Sequence, residues 1–280
     1  MAKRKNGWTE EKISKYIKEG RGQGELSNYI PWLKIQDVSS NGNVSRFQGW
    51  KTKRQHEFLS NLERSYFFLL EWSDDVYDIR EQFPLERELT FQIAEAKEIH
   101  HSIDKVTQTP IVMTTDFFVT IKRNNKKEYL ARTIKPSELL EDKRVIEKFE
   151  VEREYWEGRG VDWGIITEKD IEKVTAKNIQ WIYEHYYLDQ EEDTELASLF
   201  LKLLINKQSE NKKIFGICNY FDETYQLETG SALGYFKHLI ARKYITFDMK
   251  QKLNVRSLTT NQMTLITSKK VGKDIDYISG

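Results

Sequence analysis

The sequence predicts an α/β protein: a mixed sheet with helices on its faces, followed by a smaller, mostly helical unit. Two patterns and the length carry this reading. Up to Thr167, segments of helical and alternating period run in the order helix, strand, strand, strand, helix, strand, as in a sheet covered by helices. Beyond the acidic stretch Asp189-Gln190-Glu191-Glu192-Asp193 come three short amphipathic segments and one strand. The chain has 280 residues, which suits two domains of ordinary size, and the expected division is 1–170 and 171–280.

Thr9 to Glu19 has helical period and is closed by Gly20-Arg21-Gly22-Gln23-Gly24, a glycine-rich stretch that implies a flexible or tightly turned loop. That loop serves either as a helix terminator or as a place where DNA or a partner approaches the backbone. Tyr29 to Leu33 reads as extended, because the residue before Pro31 avoids the helical region. His56 to Trp72 reads as one helix. Val76 to Phe83 alternates like a strand and stops at Pro84. Leu89 to Ile99 reads as helix, Ile111 to Val119 as strand, Asn124-Asn125 as turn and Tyr129 to Lys135 as strand. Ser137 is placed to cap a long helix running to Trp156, closed by Gly158 and Gly160. Trp163 to Thr167 is a short buried strand, and Ile171 to Tyr187 a helix.

In the second unit, Thr194 to Lys207 places Leu196, Phe200, Leu203 and Leu204 inward. Phe215 to Tyr225 is a second helix. Gly230 to Lys243 is a third, with Leu233, Phe236, Leu239 and Ile240 on one face. Ile245 to Met249 reads as a strand. Three short helices and a strand resemble a winged-helix module.

Composition excludes several classes. No apolar run approaches the ~20 residues that span a bilayer. Met1-Ala2-Lys3-Arg4-Lys5 is basic but is not followed by the apolar stretch of a secretory signal. Cys218 is the only cysteine, so no internal disulfide can form, which suits a reducing cytoplasm. Five scattered histidines give no zinc pattern, and His56, His100 and His101 read as surface residues. The formal net charge of zero hides a basic stretch from Lys3 to Arg54 and an acidic one from Glu63 to Glu98. Such segregation either holds phosphates near a metal or belongs to ordinary solvated faces.

Three polar residues stand out. Glu63 shares a helical face with Leu59, Leu62, Tyr66 and Leu70, and a carboxylate aimed at a core requires a cation or metal beside it. Asp116 lies in a strand, and Lys135 ends the next strand before Pro136. An acid on a helix, an acid on a strand and a lysine on the paired strand form the layout of a metal-dependent nuclease site. Hard cations such as Mg²⁺ and Mn²⁺ take carboxylate oxygens. The Ile134 carbonyl is a candidate further ligand. Thr133 shares the lysine's face, but its short hydroxyl makes it a doubtful ligand. Lys135 is placed to orient the attacking water and to stabilise charge. The competing reading makes Asp116 and Lys135 a plain cross-strand ion pair and turns Glu63 to solvent. In the third helix of the second unit, Lys237, His238, Arg242 and Lys243 either contact phosphates or are merely exposed.

Several stretches together resemble the TnsA endonucleases of heteromeric (Tn-seven-type) bacterial cut-and-paste transposases. They are Ile17-Lys18-Glu19-Gly20-Arg21-Gly22-Gln23-Gly24, Tyr29-Ile30-Pro31-Trp32-Leu33, Leu70-Glu71-Trp72, Asp78-Ile79-Arg80-Glu81-Gln82-Phe83-Pro84-Leu85, Thr115-Asp116-Phe117 and Ile134-Lys135-Pro136. The resemblance spans residues 12 to 170 and is weaker beyond. It implies a restriction-endonuclease-like fold with Glu63, Asp116 and Lys135 as catalytic residues. It also implies an Mg²⁺-dependent cut on the strand carrying the 5′ transposon end, a TnsB-like recombinase and a TnsC-like ATPase regulator as partners, and a cytoplasmic bacterial setting. One departure is Thr133, where the family has glutamine. Glu150 and Glu152 lie in a family-like stretch and read as surface or helix-stabilising residues. A stand-alone restriction or repair nuclease, or a non-catalytic adaptor on a degenerate nuclease core, are the alternatives.

Overall fold

Thr9 turns the chain into α1 (Glu10–Lys18) in the computed structural model, which describes residues 7–38, 43–124, 126–188 and 190–266. Its hydroxyl accepts a hydrogen bond from the Lys12 amide, the usual way to satisfy a free donor at a helix start. After α1, Gly20, Gly22 and Gly24 all take left-handed backbone, with φ of 72°, 78° and 89°. At Gly22 an added Cβ would lie 2.2 Å from Pro84 Cγ, so this glycine lets the loop pass against the sheet. Ile13 and Tyr16 of α1 pack with Trp32 and Val112 in a small core of their own. Tyr29 is extended as expected, yet Tyr29–Leu33 forms no strand; it follows a 3₁₀ turn (Leu26–Asn28) and is tied to the sheet by Trp32 N–H donating to the Gln82 carbonyl.

The single helix expected from His56 is in fact two elements. A hairpin of β1 (Ser45–Gln48) and β2 (Gln55–Phe58) precedes α2 (Asn61–Trp72). The buried residues His56 and Phe58 alternate about half-buried Glu57, a strand period, and Ser60 then caps α2 by accepting from the Glu63 amide at 3.1 Å. Arg54 and His56 of the hairpin converge on buried Glu81. Arg54 makes two hydrogen bonds to its carboxylate, one of them 2.8 Å, and His56 Nδ1 lies 2.8 Å from it. Burial raises the pKa of Glu81, but His56 and Arg54 outweigh it and hold this carboxyl well below the usual range.

The main sheet comprises β3 (Val76–Pro84), β4 (Thr114–Arg123), β5 (Lys126–Ile134) and β6 (Asp162–Ile166), in that spatial order. The first two pairings are antiparallel and the last parallel, the expected mixed sheet. Between them in sequence lie α3 (Arg87–Ala96) and α4 (Lys143–Glu157). Leu85, Phe118, Ala131, Tyr155 and Trp156 form one core of this unit. The strand bearing Asp116 starts at Thr114 rather than Ile111. Asn124 takes a left-handed turn conformation (φ 50°). Asp142, not Ser137, caps α4, its carboxylate accepting from the Arg144 and Val145 amides, while Ser137–Glu141 forms a 3₁₀ turn. Asn125, Asp189 and the basic start Met1 to Lys5 lie outside the described residues.

The chain divides into two compact units, Met1–Ile171 and Glu172–Gly280. The second holds α5 (Lys173–Ile182), α6 (Glu191–Asn206), α7 (Ile214–Thr224), α8 (Ser231–Ala241) and a two-residue ladder of β7 (Ile245–Thr246) with β8 (Thr264–Leu265). On α6 the buried face is Ala197, Phe200, Leu201 and Leu204; Leu196 and Leu203 are half-buried. Helix α8 packs against α5, α6 and α7 and is mostly buried. Its N-cap, Gly230, has no side chain, so Asp222 of α7 accepts from the Gly230 and Ala232 amides, both at 2.8 Å. The strand expected to reach Met249 ends at Thr246; Asn178 donates to the Met249 carbonyl instead. Among the described residues, no helix is long and apolar enough to cross a membrane.

Candidate active site

Glu63 sits in the first turn of α2, reciprocating the Ser60 cap. Ser60 Oγ donates to Oε1 at 2.7 Å and the Leu59 amide to Oε2 at 3.1 Å, an arrangement that keeps the carboxyl turned inward and 8% exposed. Burial and then the nearby Asp116 push it up to about 7, against the pull of those bonds and of Lys135. Asp116 is half-buried near the start of β4. Its Oδ2 accepts from the Ile134 amide at 2.7 Å and its Oδ1 from Gln82 Nε2 at 3.0 Å. Burial raises this carboxyl too, opposed by the Ile134 bond, Lys135 and Gln82.

Lys135 follows the last residue of β5, its amide donating to the Ile166 carbonyl at 3.0 Å. Its charge acts on both Glu63 and Asp116. Among the described residues it makes no salt bridge with either, so the plain ion-pair arrangement is not what the side chains adopt. Residues from α2, β4 and the end of β5 thus share one electrostatic environment.

Two residues behind this trio take roles that the sequence reading does not assign to them. Glu152 on α4 is 3% exposed and not on the surface as expected; burial pushes it up to about 7. Its Oε1 accepts from Thr115 at 2.6 Å and also from Thr133, and Trp156 Nε1 donates to Thr115 at 2.7 Å. Glu152 lies four residues before Trp156, so the signal that marks Glu63, an acid on an apolar helix face, is present here as well. Glu150 does match the helix-stabilising reading, bridging Lys97 and Arg153. Gln82 is the second. It is buried, takes a left-handed backbone (φ 50°), and also accepts from Thr114 Oγ1 at 3.1 Å. A polar residue inside a strand pattern does not reveal which neighbour it orients.

The donor set suits a hard divalent cation. Two nearby carboxylates, the charge of Asp116 raising the proton affinity of Glu63, gain from a shared cation. Among the described residues no group of three His, Cys, Asp or Glu could hold a metal ion. Glu63 and Asp116 are the two carboxylates at this site that could hold such a cation. The Thr133 hydroxyl donates its proton to Glu152.

The remaining candidates lie elsewhere. His56 is fully buried, not on the surface, while His101 is half-buried, with Nδ1 at 3.0 Å from the Ser102 carbonyl. His100 is exposed as expected. In the second unit, Lys237 stands over the Trp181 ring at 4.5 Å and His238 is buried, donating to the His185 carbonyl. Arg242 stands over Tyr186 at 4.9 Å. Lys243 follows with φ 60°.

Residues 73–168 match the family described as TnsA-like endonuclease N terminal, and residues 170–249 the one described as TnsA endonuclease C terminal. Glu63 lies ahead of the first match. The chain is also 39% identical over 250 residues to the transposon Tn7 transposition protein TnsA of Escherichia coli, covering 89% of this chain and 90% of that protein. Two consecutive family matches and a relative matched over about nine-tenths of both chains agree: this chain belongs to the TnsA endonuclease family.

Proposed function

We propose that this chain is the subunit that cuts the strand carrying the 5′ transposon end in cut-and-paste transposition, with Mg²⁺ as its cofactor and Mn²⁺ able to replace it. The observation that carries this is the shared environment of Glu63, Asp116 and Lys135 in a chain of this family. Glu63, Asp116 and the Ile134 carbonyl would hold the cation. When bound, Mg²⁺ makes a water more acidic and stabilises charge on the phosphate. Lys135, held beside both carboxylates without being paired to either, orients the attacking water and stabilises the developing charge. Gln82 and the Ile134 amide fix the direction of Asp116. Glu152 braces Thr115 and Thr133.

In this reading residues 1–170 form the nuclease domain. A TnsB-like recombinase cuts and joins the 3′ ends, and a TnsC-like ATPase regulator docks on the domain of residues 171–280. Phosphate contacts there fall to Lys237 on α8 and to Arg242 and Lys243 just after it, with Lys237 and Arg242 also standing over Trp181 and Tyr186. Strand-specific mapping of cuts on end-containing DNA tests the proposal. Cuts on the 5′ strand only with the recombinase present support it. Metal-dependent nicking by the chain alone would make it a stand-alone nuclease, and no cutting under either condition would make it an adaptor.

A further inference from the structure

A second feature of the nuclease unit is a cleft of about 680 Å³ between α3, the loop that follows it, and the first turns of α4. Its charged lining is unbalanced. Arg144 and Lys148, one turn apart on α4, and Lys105 from the loop face a single carboxylate, Glu95. Arg144 is partly engaged by Glu147 at 2.9 Å. Lys105 and Lys148 form no salt bridge among the described residues. Phe91 and Ile103 add apolar surface at the same place, each 44% exposed.

The cleft also adjoins the candidate active site. Burial, then Arg144 and Lys135, disfavour the charge on Lys148, and Asp142 opposes them only in part. Like charges gathered this way are costly unless an anion shares them, and a row of phosphates is such an anion. Exposed apolar groups beside the cations suit the sugar and base faces between phosphates.

We propose that this cleft seats the DNA backbone leading to the scissile phosphate, with Lys148 and Lys105 each binding a phosphate. The proposal rests on the nuclease reading above. It assigns a substrate-binding role to residues outside the trio of Glu63, Asp116 and Lys135.

The test uses the full chain carrying Asp116→Ala, so that DNA is bound but not cut. Binding to a labelled end duplex is followed by anisotropy over a series of salt concentrations. Adding Lys105→Ala and Lys148→Ala should lower the slope of log K against log salt by about 2, close to 0.9 for each phosphate no longer neutralised. Removing two exposed lysines of the other unit, Lys177→Ala and Lys202→Ala, should leave the slope unchanged. Single neutral methylphosphonates should weaken binding most next to the cut site, and that sensitivity should vanish in the Lys105/Lys148 variant. An unchanged slope beside normal 5′ cutting by the unmutated chain overturns the cleft and leaves the nuclease reading standing. A reduced slope beside an unmutated chain that never cuts sinks the nuclease reading, and with it the link from these phosphates to a scissile bond.

Discussion

A carboxylate withdrawn from water persists only where something shares its charge or its proton, and buried Glu63, Glu152 and Glu81 and half-buried Asp116 each resolve that differently. Glu81 has Arg54 and His56. Glu63 and Asp116 have one unpaired lysine between them. If Lys135 works on the water and the transition state rather than on the metal, Lys135→Ala should still bind Mg²⁺ or Mn²⁺ by calorimetry while cutting falls by roughly two orders of magnitude or more. Wild-type cutting in that variant would leave the lysine without a chemical role. Gln82→Ala removes a partner from both Asp116 and Thr114, and the loss is expected to be about 1–3 kcal/mol of stability with slower cutting. Unchanged denaturation and cutting would show that the Ile134 amide alone orients Asp116.

Glu152 offers a pH test. Its carboxyl rises from an ordinary 4.5 to about 7 in the folded chain, so the folded state holds this proton more tightly than the unfolded state does. Its contribution to stability is fully present below 4.5 and is lost as pH rises through about 7. Glu152→Gln cannot ionise and should resist that loss, gaining up to about 3 kcal/mol on the wild type at pH 8 and little at pH 4. Urea midpoints at the two values, with chelator present, measure the difference; equal pH dependence in both proteins would contradict it. At this scale Glu63, Asp116 and Lys135 are visible in the sequence because each is a charged residue in an apolar pattern. Gln82 stays hidden because its partner lies across the sheet, a neighbour that no local spacing encodes.

At the scale of elements, local signals are reliable where backbone chemistry alone decides. Thr9 caps α1, Pro84 ends β3, and the three glycines after α1 turn the chain. They fail where two caps or two periods compete. Asp142 outbids Ser137 because it directly precedes the helix and reaches two amides. His56 and Phe58 belong to a strand because buried Glu81 and a hairpin partner, neither encoded in their own spacing, hold them there. Gly22 probes the loop. Gly22→Ala combines a left-handed backbone with a clash against Pro84 and should cost about 2–4 kcal/mol. Gly20, with nothing within 4 Å of an added Cβ, should tolerate alanine better. Urea denaturation of the two variants gives the ranking, and a benign Gly22→Ala would remove the packing role assigned to this loop.

For the whole molecule, the sheet and the helical set each bury their own apolar faces, and the sequence shows this as a change of pattern on either side of the acidic stretch. We propose that a fragment of residues 171–280 folds by itself and retains the regulator-binding surface. Circular dichroism and pull-down with the TnsC-like ATPase check the two parts; a folded fragment that captures no regulator would confine this unit to internal support. The central claim, however, concerns the carboxylates, and strand-specific cutting by Asp116→Ala beside the recombinase tests it most directly. The 5′ cut is expected to disappear while the fold, partner binding and 3′ cutting remain, so that products shift from excised to joined, co-integrate-type DNA. Normal 5′ cutting by Asp116→Ala would contradict the assignment.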